Sequence, residues 1–405
     1  MSAASATPRR NDGARRFAPL AGARAVDMAD EKGELCGRLL AHLGADAVRV
    51  EPPAGAASRR LPPFAPDGTT SLYFAHRNAD KRGVTLDIER EAGRALLHRL
   101  LANADVLIET QAPGYLASLG LAPAQLIERY PRLIVASITD FGQSGPYRDY
   151  QGTDMVGFAM GGMMYRAGVA ERPPVVAPGA LAYDATAITA SFAIVMAVYQ
   201  RLRSGRGQHL DVSVMESVAN LSDWSLPSYS QSGGFQRRAG SGLVYPVYPC
   251  ADGHVRMVIL SPREWRAMRA WLGEPDVVKD EVWEQLMFRL GNRDVLDPLF
   301  IELFRDKKKM DLAREAQRRG IAVTPVLTPA EVMTNEHAVA RGTFVKMPVD
   351  GFEGLVPAGM FEVNGERHGL QRRAPSLGEH NNEVYIDELG LTADELAALQ
   401  SEGAV

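Results

Sequence analysis

The chain has 405 residues, of which 46% are hydrophobic and 23% are charged, with a formal net charge of -4. This length exceeds one ordinary hydrophobic core, so we expect two domains, or one large α/β domain with an insertion. The slight acidic balance and the scattered basic residues disfavour nucleic-acid binding. The two cysteines form no Cys-x-x-Cys and the eight histidines no His-x-x-x-His spacing, so we expect neither a disulfide scaffold nor a metal site.

The first residues carry no targeting signal that we can identify. Residues 1–19 are small, polar and basic and lack the apolar core of a signal peptide, which predicts a disordered tail and a cytoplasmic protein. The longest uncharged apolar stretch, residues 185–198, is shorter than the roughly 20 residues that span a membrane. We therefore expect no membrane association.

Helical and extended patterns alternate along the first 160 residues. Helices are predicted at 34–43, 90–104 and near 123–130, and extended segments at 45–51, 72–74, 83–88, 106–108 and 133–138. This alternation with short connections predicts an α/β fold with a doubly wound, mostly parallel sheet. Ligands of such sheets bind beyond the carboxyl ends of the strands. No strand is followed by Gly-x-Gly-x-x-Gly and no P-loop motif occurs, which disfavours conventional dinucleotide or P-loop binding and an NAD-linked oxidoreductase.

The pattern of predicted elements changes in the second half of the chain. A helix at 155–160, a long apolar helix at 180–199, a strand at 208–214 and a helix at 215–221 continue the first pattern. A hairpin with an Asp-Gly turn is then predicted at 245–259, followed by charged helices at 262–318 and a strand and helix at 322–333. We predict a large domain over residues 20–225, a smaller α+β domain with linkers over 226–320, and a return to the large domain over 321–405.

Asp184 is the only charged residue in the apolar stretch 180–199. A helix of this composition is expected to be mostly buried, where a lone carboxylate is costly. One explanation is an N-cap, because Asp accepts hydrogen bonds from the first amides of a helix. Another is nucleophilic catalysis by a carboxylate that attacks an activated acyl group. Both roles are compatible with one residue.

Six segments in order resemble the family III CoA-transferases, the formyl-CoA and carnitinyl-CoA transferase type. The segments are residues 43–51 (LGADAVRVE), 78–87 (NADKRGVTLD), 104–109 (ADVLIE) with 113–114 (PG), 131–147 (PRLIVASITDFGQSGPY), 204–213 (SGRGQHLDVS) and 374–380 (APSLGEH). The resemblance implies an interlocked homodimer that transfers coenzyme A from an acyl-CoA donor to a carboxylic acid, with no tightly bound cofactor. It also implies that the nucleophile is Asp184, which follows the Arg-Pro-Pro-Val-Val stretch at 172–176.

The resemblance further implies where CoA is bound. The implied contacts are Glu31 and Lys32 near the pantetheine, Leu86, Asp87, Glu89, Thr110, Gln111 and Ala112 near the adenine, and Arg59, Lys81 or Arg82 near the phosphates. Ordinary surface charge is the alternative for the three basic residues. Two departures from the family pattern are Thr110-Gln111 in place of Asn-Phe and Ser118 in place of a basic residue. Gly240 and Gly242 are candidate backbone donors to an oxyanion, or part of a flexible linker.

Two other functions are compatible with the same pattern. A 2-methylacyl-CoA racemase of this fold would use a Gly-His-Asp turn, which here reads Gly152-Thr153-Asp154, and threonine is no proton acceptor near neutral pH. A non-catalytic acyl-CoA-binding protein would have no need of the carboxylate at 184. The acids that exchange CoA are not specified by the pattern, although Arg166, Tyr183, Arg237 and Arg238 are candidates to meet a second substrate carboxylate.

Overall fold

The computed structural model describes residues 17–221, 225–234, 246–349, 352–367 and 369–405. The chain divides into two compact units. The large unit combines Met1–Met164, Val176–Gln231 and His337–Val405, and the small unit combines Tyr165–Val175 with Ser232–Glu336.

The large unit is built on a six-stranded parallel sheet. Its strands are β1 Arg24–Asp27, β2 Asp46–Glu51, β3 Arg82–Thr85, β4 Val106–Glu109, β5 Ile134–Thr139 and β6 His209–Ser213. The spatial order is β3-β2-β1-β4-β5-β6, and every neighbouring pair is parallel. The predicted fold class is therefore confirmed. The direction of strand addition reverses between β1 and β4, which makes the carboxyl ends of these two strands the topological switch point.

Helices connect these strands and continue through the rest of the chain. They are α1 Glu34–His42, α2 Leu72–Asn78, α3 Glu91–Leu101, α4 Tyr115–Ser118, α5 Pro123–Arg129, α6 Asp154–Met160, α7 Met163–Arg166, α8 Leu181–Ser204, α9 Val214–Leu221, α10 Ser225–Ser232, α11 Pro262–Trp271, α12 Leu286–Gly291, α13 Arg293–Phe304, α14 Lys309–Arg318, α15 Pro329–Thr334, α16 Glu336–Ala340 and α17 Ala393–Ser401. Short 3₁₀ turns lie at Ala57–Arg60, Asp276–Val278 and Glu281–Glu284, and a π-helical segment at Asn382–Glu388.

Alternate residues of each strand enter two separate cores. Leu107 and Val135 pack with α3 and α5 on one face, whereas Ile108 and Ala136 pack with α1 and α8 on the other. This alternation follows from the two-residue repeat of side chains along a strand. Both faces of the sheet are therefore covered, as a parallel sheet requires.

Two local predictions differ from the structure. Residues 72–74 were expected to be extended, but they begin α2, because the Ser71 hydroxyl accepts the amide of Phe74 at 3.1 Å and caps the helix. Strand β1 was not predicted, because its four residues (Arg-Ala-Val-Asp) are too few to show a repeat. Its position at the centre of the sheet is a tertiary property.

The small unit has an antiparallel sheet of β7 Val247–Cys250, β8 Gly253–Val258 and β9 Ala322–Pro325, in the order β7-β8-β9. The predicted hairpin with its turn at 252–253 is present. Helices α11, α13 and α14 cover the sheet around the buried side chains of Trp265, Phe300 and Phe304. Because β9 pairs with β8, the chain stays in the small unit beyond residue 321 and re-enters the large unit at His337, later than the predicted boundary.

The last part of the large unit contains two short antiparallel hairpins. They are formed by β10 Phe344–Val349 with β11 Phe352–Pro357 and by β12 Glu362–Val363 with β13 Glu366–Arg367.

Helix α8 is the longest described element, with 24 residues. By length and composition alone it is apolar enough to cross a membrane, but a core helix of a soluble protein meets the same criterion. One side packs on the sheet through Ala187, Ala190 and Ile194. The expectation that the helix is mostly buried is wrong for the single chain, because a row of large apolar side chains on its other side is exposed. The row consists of Ile188, Phe192, Met196, Tyr199 and Leu202.

Candidate active site

The loops after β1 and β4 meet at the switch point of the sheet. The amide of Asp30, in the first loop, donates to the hydroxyl of Thr110, in the second, at 2.8 Å. This contact brings the predicted CoA residues Glu31 and Lys32 close to Thr110 and Gln111. The structure therefore gathers two segments that are about eighty residues apart in the sequence at the edge where parallel sheets bind ligands.

A network of buried charges supports the loop after β1. Arg49 of β2 contacts the Glu34 carboxylate at 2.9 Å, and Lys81 contacts Asp27 at 2.6 Å. The Lys81 ammonium group also donates to the Glu34 carbonyl and to the side chain of Asn78, both at 2.7 Å. Buried charges that are paired in this way hold their segments in one arrangement, although Oε2 of Glu34 and Nε of Arg49 have no hydrogen-bond partner among the described residues.

Two of the residues predicted to contact the phosphates, Lys81 and Arg82, have partners within the protein. The Lys81 side chain is completely buried and its three donors are occupied by Asp27, Glu34 and Asn78. Arg82 is the first residue of β3 and therefore lies at the amino edge of the sheet, opposite the ligand edge. There it forms ion pairs with Asp46, Glu383 and Glu388. The basic side chains of Lys81 and Arg82 thus stabilise the fold, and basic character alone does not identify a contact with a ligand.

Arg59 lies at the ligand edge, where Glu51 ends β2. Its guanidinium group makes a two-point contact with the Glu51 carboxylate, at 2.7 Å for both pairs of atoms, and stacks 3.9 Å above the ring of Phe74. Arg59 and Arg373 border a cavity of about 270 Å³. The predicted phosphate contact at Arg59 thus remains geometrically open, although Glu51 already neutralises its charge.

The other predicted adenine contacts lie along the same edge. Leu86 is buried and its amide donates to the carbonyl of Glu51 at 2.7 Å, whereas Glu89 is exposed and accepts the Tyr115 hydroxyl at 3.0 Å. Asp87 is partly exposed and Ala112 is exposed. The loops after β3 and β4 therefore present both polar and apolar groups at the surface.

Asp184 lies in the first turn of α8, which begins at Leu181. Its side chain is 38% exposed, and its Oδ1 atom, which is itself buried, lies 2.6 Å from Nη2 of Arg77. Asp184 is not the N-cap. The N-cap position is Ala180, and the capping hydrogen bond comes from Asp154 of α6, whose carboxylate accepts the Tyr183 amide at 3.0 Å. The carboxylate at 184 is thus left accessible and paired with a single cation.

Arg77 is the partner of Asp184 that the sequence reading missed. It occupies the last turn of α2, its side chain is 7% exposed, and its guanidinium carbon lies 4.4 Å from the centre of the Tyr73 ring. Its position beside Asp184 depends on the packing of α2 against α1, so no sequence motif indicates that Arg77 pairs with Asp184. A buried guanidinium and a half-exposed carboxylate form the centre of the site.

Several acidic groups surround this pair. Burial raises the pKa of the Glu31 carboxyl, and the neighbouring charge of Asp30 adds to that effect. Burial also raises the pKa of Asp154 against the lowering effect of its bonds to the amides of α8, and it raises the pKa of Asp140 against the charge of Lys32. Lys32 itself lies 2.7 Å from Asp30. The site therefore combines a desolvating environment with a small number of fixed charges.

Thr153, the residue at the position where a racemase of this fold would have histidine, has a structural role. Its hydroxyl accepts the amide of Val156 at 3.4 Å and caps α6. Tyr183 is buried, and burial raises the pKa of its hydroxyl. Arg166 belongs to the small unit. Gly240, Gly242, Arg237 and Arg238 lie outside the described residues.

Comparisons with known proteins agree with this geometry. The sequence profile of CoA-transferase family III matches residues 20–381. A CaiB/BaiF family protein from Brucella suis has the same fold, with a TM-score of 0.83 and 30% identity over 92% of this chain and 99% of that one.

Curated relatives carry CoA-transferase names. The succinyl-CoA:(R)-benzylsuccinate CoA-transferase subunit BbsE of Thauera aromatica is 32% identical over 94% of this chain and 97% of its own length. The probable CoA-transferase Rv1866 of Mycobacterium tuberculosis is 36% identical over 84% of this chain, but the match spans only 44% of that longer protein. With a profile match over nearly the whole chain, a relative above 30% identity and the shared fold, the protein belongs to CoA-transferase family III.

Proposed function

We propose that the protein transfers CoA from an acyl-CoA to a carboxylic acid through covalent intermediates on Asp184. The observation that carries this proposal is the accessible carboxylate of Asp184 at the start of α8, held by a single buried cation. An ionised carboxylate is a competent nucleophile towards a thioester when it is fixed beside the carbonyl carbon.

The reaction follows from the chemistry of these groups. One oxygen of Asp184 attacks the thioester carbonyl, the C–S bond breaks, and CoA thiolate leaves a mixed anhydride. The thiolate then attacks the Asp184 carbonyl carbon, which releases the first acid as a carboxylate and leaves an aspartyl-CoA thioester. The acceptor carboxylate reverses these two steps. The positive end of the α8 dipole favours negative charge near the start of the helix.

CoA is proposed to lie across the loops that follow β1, β3 and β4. Glu31, Lys32, Thr110 and Gln111 are supported by their position at the switch point, and Arg59 by its place at the carboxyl edge of β2. The acids remain to be identified by experiment. The name of the Thauera aromatica relative pairs a succinyl-CoA donor with a dicarboxylic acceptor, so dicarboxylic acids are the first class to test.

The protein is further proposed to act as a cytoplasmic homodimer. The exposed apolar row on α8, from Ile188 to Leu202, supports self-association, because a single chain would leave these side chains in water. A groove of about 440 Å³ borders the same side of the helix at Met196, Tyr199 and Leu210.

The decisive experiment looks for the covalent intermediate. The protein is incubated with succinyl-CoA, formyl-CoA or acetyl-CoA without an acceptor, and its intact mass is measured. We expect a CoA-sized adduct that hydroxylamine converts to a hydroxamate at Asp184. Asp184→Asn abolishes both adduct and transfer, whereas Asp394→Asn, an exposed aspartate on α17, retains them.

The same experiment separates the alternatives. Exchange of the α-hydrogen of 2-methylacyl-CoA for deuterium without any adduct would instead support a racemase. Binding of acyl-CoA with neither adduct nor exchange would support a non-catalytic binding protein.

A further inference from the structure

The guanidinium group of Arg77 has one terminal nitrogen that the fold does not use. Nη2 contacts Asp184 at 2.6 Å, whereas Nη1 is buried and, in the part of the chain that the structure describes, donates no hydrogen bond. An unpaired donor on a buried cation is costly. Its retention beside the reactive carboxylate calls for a ligand that supplies the missing acceptor.

The nearby cations differ from Arg77 in the carboxylate with which each one is paired. Lys32 is paired with Asp30, Lys81 with Asp27, and Arg49 with Glu34. None of those three carboxylates takes part in the proposed chemistry. Arg77 is instead paired with the carboxylate that is esterified during the reaction.

The charge balance of the proposed reaction makes this difference important. In the first half-reaction the Asp184 carboxylate becomes a neutral aspartyl-CoA thioester, and the acyl group of the donor departs as a free carboxylate. No proton is taken up or released. One negative charge therefore passes from Asp184, through the CoA thiolate, to the substrate acid. A cation that is 7% exposed thus loses its counter-ion in the same half-reaction that releases the substrate carboxylate.

We propose that Arg77 is the binding site for the reacting carboxylate of the substrate acid and that it exchanges this anion with Asp184 during each half-reaction. This inference rests on the nucleophilic role of Asp184. Once Asp184 is held as its CoA thioester, Nη2 is released and joins Nη1, so that the planar fork makes a two-point contact with the incoming acid. The acceptor carboxylate is thereby held beside the Asp184 carbonyl carbon that it must attack.

The stacking of Arg77 on Tyr73 suits this role. The guanidinium plane is fixed by the ring and by the buried stem, so it does not need to be ordered when the acid binds. Arg77 recognises the carboxylate group of the substrate acid and makes no contact that distinguishes one acid from another. Selection among acids is then made elsewhere in the site.

The test measures binding of acids to a protein that performs no chemistry. Asp184→Asn removes the counter-ion of Arg77 while keeping the size of the side chain, and thus imitates the uncharged Asp184 of the aspartyl-CoA thioester. Acetate and succinate are titrated by calorimetry, at low salt, into the unmodified protein, Asp184→Asn, and Asp184→Asn combined with Arg77→Met. We expect Asp184→Asn to bind the acids about tenfold or more tightly than the unmodified protein, and the double variant to lose that gain.

Two further variants control for loss of structure. Arg201→Met removes another buried guanidinium, one that pairs with Asp105 at the amino edge of the sheet, and combined with Asp184→Asn it keeps the gain in affinity. Arg77→Lys keeps the positive charge but lacks the planar guanidinium fork. Combined with Asp184→Asn, it retains part of the gain in affinity. Melting temperatures identify any variant that fails to fold.

The results that test Arg77 are distinct from the results that test Asp184 as the nucleophile. Equal affinities of the unmodified protein and Asp184→Asn, or an undiminished gain in the double variant, would overturn the role of Arg77. Failure of Asp184 as the nucleophile appears separately, as substantial transfer by Asp184→Asn.

Discussion

Glu109 ends β4 at the switch point and is 2% exposed. Burial raises the pKa of its carboxyl to about 7 from an ordinary value of 4.5, and nearby Asp30 and Asp211 add to the increase. The amide of Gln111 donates to its Oε2 atom at 2.8 Å and opposes the increase only in part. Between pH 4.5 and 7 the folded protein therefore holds a proton on Glu109 that the unfolded chain has released.

The consequence is a pH-dependent contribution to stability. Because the folded pKa is raised, the stabilisation from the bound proton is fully present below pH 4.5 and is lost as the pH rises towards 7. A difference of about 2.5 pKa units corresponds to about 3 kcal/mol over this window. Glu109→Gln keeps the shape and removes the titration, so its stability relative to the unmodified protein should increase by about that amount between pH 4.5 and 7.5.

The assay compares melting temperatures of the two proteins at several pH values. A direct difference is preferable to an absolute free energy, because a chain of two units need not unfold in one step. We expect the difference in melting temperature to change steadily in favour of Glu109→Gln as the pH rises. A difference that stays constant from pH 4.5 to 7.5 would refute the argument that Glu109 is protonated in the folded state.

Two further predictions concern α8. Asp154→Ala removes the carboxylate that accepts the amide of Tyr183 and should destabilise the large unit by about 1 kcal/mol, measured as a lower melting temperature; an unchanged value would show that the cap contributes nothing. Phe192→Glu places a charge in the exposed apolar row, where Phe192 is 68% exposed, and should weaken self-association by about tenfold or more in analytical ultracentrifugation without lowering the melting temperature of the isolated chain. Identical association of Phe192→Glu and the unmodified protein would remove α8 from the proposed dimer interface.

Sequence patterns that extend over many residues were sufficient to predict the architecture. The alternation of apolar strands and amphipathic helices predicts the parallel sheet, and the Asp-Gly turn at 252–253 predicts the hairpin of the small unit. The short segments were harder. Residues 72–74 were assigned to the wrong element and β1 was missed, because three or four residues do not display a period.

The sequence by itself also singled out Asp184, because a lone carboxylate in an apolar helix is conspicuous in one dimension. Its partners were decided by the tertiary structure. Arg77 is more than one hundred residues away and reaches Asp184 only because α2 and α8 both pack against α1, while Asp154 supplies the capping hydrogen bond from a neighbouring helix. Charge alone did not reveal whether Lys81 and Arg82 serve a ligand or the fold, because that depends on burial and on which edge of the sheet a residue occupies. Contacts between distant segments are properties of packing, and the linear order of residues carries no local signal for them.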